Sequence, residues 1–177
     1  DGLILLSAGA GGQTGWANPF AFVRAVREIY GGPIVLAGGV NDGIALHAAK
    51  TLGCDLAYMG TRFIATRESM AVDGYKDMLV SSGLDDVMLS SAFTGLPTNK
   101  LRSSIKSAGL DPDDLPARGM IDVSEDINPD KRPNRWKDIW SAGHSVAGVH
   151  DIPNVAKLID RLAIEYENAE RATGKPT

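Results

Sequence analysis

The sequence predicts an α/β fold with a parallel β-sheet. Three short apolar runs alternate with segments of helical periodicity that are about ten residues long. This alternation is typical of parallel strands joined by crossover helices. Each apolar run also leads into glycines, which begin at Gly9, Gly38 and Gly60. Because ligands of parallel α/β folds lie beyond the carboxyl ends of the strands, these glycines mark the predicted ligand side of the sheet.

The first unit starts with the apolar run from Leu3 to Leu6, which predicts a strand buried on both faces. A loop rich in glycine, SAGAGGQTGW, follows it directly. Glycine lets a backbone approach a ligand closely, so this cluster indicates a local requirement beyond a simple turn. Asn18 and Pro19 then predict a helix start, and the glycine pair after Tyr30 predicts its end.

The next two units repeat this pattern. The segment PIVLAGGV predicts a second buried strand, and a helix capped by Asn41 or Asp42 follows it until Gly53. The segment DLAYMGTRF starts the third unit. Backbone N–H groups exposed at successive strand ends form a site for an anion, so the sequence predicts an anion site at this edge.

After about residue 70 the alternation stops. The segment SMAVDGYKDMLVSSG predicts one helix, and residues from Asn99 to Ala108 predict another. Residues 110–140, rich in proline and aspartate, predict a surface wrap or a cap. A second loop of small residues, WSAGHSVAGVHD, precedes a terminal docking helix. Interspersed acidic residues favour a solvated mixed-charge surface over a binding patch around the basic residues Lys131, Arg132, Arg135 and Lys137.

Composition narrows the class of protein. The 177 residues carry a net charge of −4, with 44% apolar and 23% charged residues, as expected of a soluble globular domain. The mild acidity argues against nucleic-acid binding, and the chain has neither a signal-peptide pattern nor an apolar run near the roughly 18 residues of a membrane span. We therefore expect a cytoplasmic protein. The single cysteine, Cys54, excludes an internal disulfide and predicts a buried structural thiol, and no histidine and acid pair has metal-ligand spacing.

Five segments together resemble the nitronate monooxygenase family: GAGGQTGW, AGGVNDG, DLAYMGTRFIATRES, SSAFTGLPTNKLRSS and WSAGHSVAGVHDIP. The specific part is GTRF behind a strand, at a fixed distance after a strand that ends in GG. The resemblance covers most of the chain and implies an FMN-binding (β/α)8 TIM barrel with a smaller, mainly helical second region. In that frame the three apolar runs resemble the sixth, seventh and eighth strands, so the chain is expected to be the C-terminal portion of a longer protein.

The resemblance implies three parts in this chain. Residues 1–82 would be the C-terminal part of the barrel, residues 83–139 a smaller helical or irregular cap region, and residues 140–177 a flavin-side loop with a terminal docking helix. Three strands leave two bare edges and an uncovered core face. We therefore expect the missing barrel half upstream of Asp1 or from another chain, with a homodimer as a candidate assembly.

The family places the FMN phosphate on the last two strand ends, which here are Gly38 and Gly39, and Gly60 and Thr61. A phosphate needs several N–H donors, a hydroxyl and no side chain in the way, and these residues offer them. Arg62 is either a second phosphate partner or the partner of a neighbouring acid, because adjacent residues of an extended chain point to opposite sides.

The glycine-rich loop is predicted to face the flavin through Ala10, Gly11 and Gly12. The family commonly has a histidine after AGG, described as the base that removes the proton α to a nitro group, and this chain has Gln13 there. An amide has no pKa in a useful range, so Gln13 is expected to orient the substrate instead of deprotonating it. His144, in the loop that the family returns to the flavin, is a candidate contact to flavin or substrate.

The other two histidines, His47 and His150, are expected to be structural. The implied activity is that of an FMN-dependent monooxygenase that oxidises alkyl nitronates with oxygen. A flavin-dependent reductase of an enoyl thioester or a quinone, with NAD(P)H as a candidate reductant, is the alternative among enzymes. A non-catalytic flavin-binding or degenerate partner subunit is the alternative of another class. In each enzymatic case the partner is a small-molecule substrate.

Overall fold

The computed structural model describes residues 1–115 and 138–174. The mixed-charge surface predicted around Lys131 to Lys137 lies outside these residues. The strands are β1 (Leu3–Leu6), β2 (Gly12–Gln13), β3 (Ile34–Ala37), β4 (Leu56–Tyr58), β5 (Val87–Ser90) and β6 (Thr98–Leu101). The helices are α1 (Pro19–Ile29), α2 (Gly43–Leu52), α3 (Thr61–Ile64), α4 (Asp73–Ser81), α5 (Arg102–Ser107) and α6 (Val155–Thr173), and two 3-10 turns span Leu84–Asp86 and His144–Gly148.

The three predicted strand–helix units form one parallel sheet with strand order β1-β3-β4. The helix starts follow the predicted capping chemistry. The Asn18 side chain accepts a hydrogen bond from Phe20 N at 2.9 Å, and the Asp42 side chain accepts one from Ala45 N at 2.7 Å. Gly53 ends α2 in the left-handed conformation. The prediction of a parallel α/β fold is confirmed, and Asp42 is the cap in the second unit.

The core of this sheet lies on one face only, between the strands and the helices α1 and α2. It is built from the buried residues Leu5, Val23, Ile34, Leu36, Val40, Ala49 and Cys54. On the opposite face Ile4, Leu56 and Tyr58 are 63%, 61% and 64% exposed. The prediction that β1 is buried on both faces is therefore wrong for this part of the chain. The reason is that β1 and β4 are sheet edges, and no described residue covers that face.

A second, antiparallel sheet has the strand order β2-β6-β5. Two of its strands lie in the region that the sequence predicts to be helical or irregular, and the predicted helix from Asn99 starts only at Arg102. Residues Thr98 to Leu101 are extended because they pair with β5 on one side and with the glycine-rich loop on the other. Hydrogen bonds thus join residue 12 of the loop to a strand 87 residues later in the chain.

The long helix α6 packs against α2. Leu158 and Leu162 are its buried residues, and Asn154 caps its first turn. Gly43 allows the close approach, because a Cβ there would lie 2.3 Å from Leu162 O. Within the described ranges, no helix combines the length and the apolar content needed to cross a membrane.

Candidate functional site

A cleft of about 170 Å³ opens at the carboxyl ends of the parallel strands. All seven residues that the sequence predicts to bind a cofactor line it, namely Ala10, Gly11, Gly12, Gly38, Gly39, Gly60 and Thr61. These residues come from three loops that are far apart in sequence, so the fold brings them together. That they bind a ligand stays a prediction.

Glycine is required at the end of β3 because the backbone there has positive φ values. Gly38 has φ +120° and Gly39 has φ +78°. A Cβ on Gly38 would also lie 2.7 Å from Ser7 Oγ, whereas a Cβ on Gly39 would meet nothing within 4 Å. Gly38 therefore serves the contact between two strand ends, and Gly39 keeps the adjoining space open.

Several N–H groups along the cleft are available to a ligand. Phe63 N is the first N–H of α3 that has a partner within the helix turn, and both Phe63 N and Ile64 N donate to Gly60 O. The N–H groups before Phe63 have no preceding turn to donate to. Across residues 1–115 and 138–174, the N–H groups of Gly39, Gly60 and Thr61 donate no hydrogen bond. Free N–H groups at converging loop ends form a concavity that suits an anion.

The returning loop at residues 140–148 is fastened to this cleft by three hydrogen bonds. Gly143 N donates to Thr61 Oγ1 at 3.0 Å, His144 N donates to Gly9 O at 2.9 Å, and the Tyr75 hydroxyl donates to Ser141 O. Thr61 Oγ1 accepts in its bond, so its own proton stays free to be donated to a ligand.

The aromatic ring of Tyr75 forms part of the cleft wall. It stacks on Trp140 with ring centroids 5.0 Å apart and an interplanar angle of 15°. Burial raises the pKa of Tyr75 to about 12. Tyr75 is therefore a neutral hydrogen-bond donor at physiological pH.

Of the two predicted catalytic residues, Gln13 lies within the glycine-rich loop and His144 packs against it, and neither lines the cleft. Gln13 is exposed, and its backbone pairs with Thr98 in the second sheet. His144 is exposed, and its ring packs over Gly9, where a Cβ would lie 2.8 Å from His144 Nδ1. The other histidines lie elsewhere: His47 is half-buried on α2, with Nε2 3.0 Å from Thr173 Oγ1, and His150 is exposed.

Arg62 pairs with an acid, which is one of the two alternatives that the sequence leaves open. Its side chain is 2% exposed, and Nη2 lies 2.6 Å from Asp151 Oδ1. Arg161 binds the same carboxylate through Nη2, 2.7 Å from Oδ2. The pKa of Asp151 is lowered, first by the hydrogen bond from Arg161 and further by the charges of both arginines. Arg62 therefore links α3 to the segment before α6.

Cys54 is buried, as the sequence predicts. The thiol is 4% exposed within the core between the parallel sheet and α2. Burial raises its pKa, with a smaller opposing effect from Arg27. A thiol whose pKa is raised has little thiolate at neutral pH, which agrees with a structural role.

Sequence reasoning missed four residues at this site. Tyr75, Ser141 and Ser145 line the cleft, and Asn99 donates a hydrogen bond from its side chain to Ala10 O at 2.8 Å. The small-residue loop around Ser141 signals a ligand-facing segment, but the pattern does not tell which hydroxyl faces the cleft. No local signal identifies Tyr75 or Asn99, because packing between distant segments brings Tyr75 to the cleft wall and Asn99 to the Ala10 carbonyl.

Comparisons with known proteins identify the family to which this sequence is similar. The family model "Nitronate monooxygenase" matches residues 1–165. A nitronate monooxygenase of Paraburkholderia phytofirmans is 28% identical over 121 residues, which are 63% of this chain and 33% of the relative. A (3aS,4S,5R,7aS)-5-hydroxy-7a-methyl-1-oxo-octahydro-1H-indene-4-carboxyl-CoA dehydrogenase of Rhodococcus jostii is 33% identical over 105 residues, 59% of this chain and 30% of that protein.

A solved structure of nitroalkane oxidase from Streptomyces ansochromogenes superposes with a TM-score of 0.75 and 25% identity, and the match covers 98% of this chain and 54% of that one. The chain thus spans about half of this structure and about a third of the curated relatives. Since the family model matches nearly the whole chain, the chain belongs to the nitronate monooxygenase family.

The ion pair between buried Arg62 and Asp151 predicts that the stability of the fold depends on pH. Asp151→Asn removes the charge that compensates Arg62, and we expect the free energy of unfolding to fall by about 1–2 kcal/mol at pH 7, below the value for a fully buried pair because the carboxylate is partly exposed. The folded-state pKa of Asp151 lies below its ordinary 3.8, so this contribution is present above pH 3.8 and is lost as the pH falls further. Urea unfolding of the intact protein at a series of pH values measures it.

The matched control is Asp113→Asn, which removes an exposed ion pair with Arg102. It should change stability by less than about 1 kcal/mol at any pH. An Asp151→Asn variant that is as stable as the control at pH 7 would contradict the assigned role of the ion pair.

Proposed function

We propose that this chain is the C-terminal part of an FMN-dependent oxidoreductase that oxidises alkyl nitronates with oxygen. The observation that carries the proposal is the convergence of free backbone N–H groups and one hydroxyl on the cleft at the strand ends. The family membership of the chain and its similarity to a nitroalkane oxidase support the same reaction class.

The cleft suits the phosphate end of FMN. The phosphate would accept hydrogen bonds from the N–H groups of Gly39, Gly60 and Thr61 and from the Thr61 hydroxyl, and the open space at Gly39 and Gly60 leaves room for it. Pockets for ligands of drug size usually measure roughly 300–1,000 Å³. The cleft, at about 170 Å³, therefore accommodates part of FMN, and residues outside the described ranges must complete the site.

The missing part is the remainder of a (β/α)8 barrel, supplied upstream of Asp1 or by another chain. Two observations support this view: the parallel sheet has two free edges, and apolar residues are exposed on its uncovered face. A complete barrel would pair both edges and bury that face. In this frame residues 1–82 are the end of the barrel, residues 83–139 the smaller region, and residues 140–177 the flavin-side loop and docking helix. A homodimer remains a candidate assembly.

Gln13 decides which form of the substrate reacts. When bound, FMN supplies the redox chemistry. Gln13 has two N–H donors and no useful pKa, so it would donate a hydrogen bond to a substrate oxygen and would not remove a proton. A nitronate is already deprotonated and needs no base. His144, whose backbone is bound to Gly9, would contact the flavin or the substrate from the returning loop.

A second candidate is a flavin-dependent reductase of an enoyl thioester or a quinone, with NAD(P)H as a candidate reductant. The observation that favours it is the relative from Rhodococcus jostii, which is 33% identical and whose name describes a carboxyl-CoA dehydrogenase. Consumption of NAD(P)H with an enoyl thioester, against consumption of oxygen with a nitronate, separates the two candidates. An intact protein with no flavin absorbance that binds no added FMN would favour the non-catalytic alternative.

The phosphate site predicts an effect on FMN affinity. Thr61→Val removes the hydroxyl but keeps the shape, and we expect the Kd for FMN to rise by about tenfold or more, because a hydrogen bond to a charged group contributes roughly 1.5–3 kcal/mol. Quenching of FMN fluorescence on titration of the flavin-free protein measures the Kd.

Thr66→Val is the matched control. Thr66 is 1% exposed, and its hydroxyl donates to Phe63 O at 2.8 Å, away from the cleft. The control should leave the Kd within about twofold of the wild type. Equal changes in the two variants would show that Thr61 acts only through stability.

The missing base predicts a preference for the deprotonated substrate. Stopped-flow reduction of the flavin should be fast with a pre-formed alkyl nitronate and slower by about 100-fold or more with the neutral nitroalkane, since general-base catalysis typically contributes 10²–10⁴-fold. Gln13→His should speed the reaction of the neutral form as the pH rises through the imidazole pKa.

His144→Ala is the second arm of this experiment. Fast reduction of the wild type by the neutral nitroalkane would contradict the absence of a base. If that fast reaction disappears in His144→Ala, then His144 is the base, in place of the histidine that the family commonly has at position 13.

A further inference from the structure

The side chain of Asn99 reaches from the second sheet into the glycine-rich loop. It is 3% exposed, and Nδ2 donates to Ala10 O at 2.8 Å across 89 positions of sequence. Rotation of the Ala10 carbonyl away from this donor would leave two buried polar groups without partners, which is energetically costly. Asn99 therefore fixes where the Ala10 carbonyl points.

The returning loop packs on this peptide, since a Cβ on Gly143 would lie 2.8 Å from Gly11 N and 3.2 Å from Ala10 C, but among the described residues the hydrogen bond to the Ala10 carbonyl comes from Asn99. Strand β2 begins only at Gly12, so its pairing with β6 stops before Ala10. The Ala10 N–H donates to Ser7 O at 3.4 Å, which is a long hydrogen bond. Asn99 pairs with Gly12 through its backbone and with Ala10 through its side chain, so it extends the strand pairing by two residues.

The orientation of the carbonyl also sets the orientation of the next N–H. In a planar trans peptide the C=O of one residue and the N–H of the next point in opposite directions. With the Ala10 carbonyl directed at Asn99, the Gly11 N–H points away from Asn99. Ala10 and Gly11 both line the cleft. Within residues 1–115 and 138–174, the Gly11 N–H donates no hydrogen bond.

We propose that Asn99 is a positioning residue that turns the Ala10–Gly11 peptide so that its N–H is presented to the bound flavin. The inference rests on the proposed FMN site and adds a residue from outside the barrel segment to it. Asn99 does not line the cleft, so it acts through the peptide and makes no contact with the ligand. An amide is required because a carboxylate would face the Ala10 carbonyl with two acceptors and no donor.

The test compares Asn99→Leu, Asn99→Asp and the matched control Thr98→Val in the intact protein. Thr98 is the adjacent residue of β6, 1% exposed, and its hydroxyl donates to Ser90 O at 2.9 Å on the side away from the glycine-rich loop. Each of the three variants loses one side-chain hydrogen bond donated from β6. Only the two variants of Asn99 lose the bond to Ala10.

The first readout is the Kd for FMN and the visible spectrum of the bound flavin. We expect Asn99→Leu to raise the Kd by about tenfold and to shift the flavin absorbance band, while Thr98→Val changes neither beyond about twofold. In Asn99→Asp the loss should match that of Asn99→Leu at pH 8 and shrink relative to it at low pH. The reason is that a protonated carboxyl regains an O–H donor. Equal values for Asn99→Leu and Thr98→Val would overturn the inference.

The second readout needs no flavin. Amide hydrogen exchange of Ala10, whose N–H donates to Ser7 O at 3.4 Å, should be at least about tenfold faster in flavin-free Asn99→Leu than in flavin-free Thr98→Val, because the loop loses the side-chain bond that ties Ala10 to β6. Unchanged exchange would overturn the positioning role. Failure of the wild type to bind FMN would instead contradict the proposed function, and hydrogen exchange would still decide whether Asn99 holds the peptide.

Discussion

The contact between the ends of β1 and β3 is the constraint on which the site depends. A Cβ on Gly38 would lie 2.7 Å from Ser7 Oγ and 3.0 Å from Ala10 N, and φ of Gly38 is +120°. Only glycine meets both conditions without strain. Since the two strand ends touch there, the glycine-rich loop lies beside the end of β3, and the cleft forms between them. The Ser7 hydroxyl closes the same junction by donating to Ala37 O at 2.9 Å.

The second sheet and the returning loop hold the glycine-rich loop in place from two other directions. Asn99 binds Ala10, and His144 N binds Gly9. Each partner belongs to a segment far along the chain, so a ligand-facing loop with little regular structure is held by the folded parts around it. This arrangement keeps free N–H groups in a defined position before a ligand arrives, which lowers the entropic cost of binding.

The sequence predicts the parallel sheet, its helices and the seven glycine-rich-loop and strand-end residues of the cleft, but not Tyr75, Ser141 or Ser145, which also line it. These features follow from local patterns: apolar runs, glycines and capping residues such as Asn18. It does not predict β5 and β6, because β6 is extended through pairing with the glycine-rich loop and with β5, and β5 pairs only with β6 among the described strands. Nor does it predict the partner of Arg62, since Asp151 lies 89 positions away. The prediction that β1 is buried on both faces is wrong because an apolar run indicates only that a strand tends to be buried. It does not indicate whether the residues that would cover the second face lie within this chain.

The central claim is that the strand-end cleft binds the phosphate of FMN. Titration of the flavin-free intact protein with FMN and with riboflavin, which lacks the phosphate, tests it most directly. Because the cleft offers several N–H groups and a hydroxyl to the phosphate, the account predicts that FMN binds at least about 100-fold more tightly than riboflavin. Equal affinities for the two flavins would contradict it.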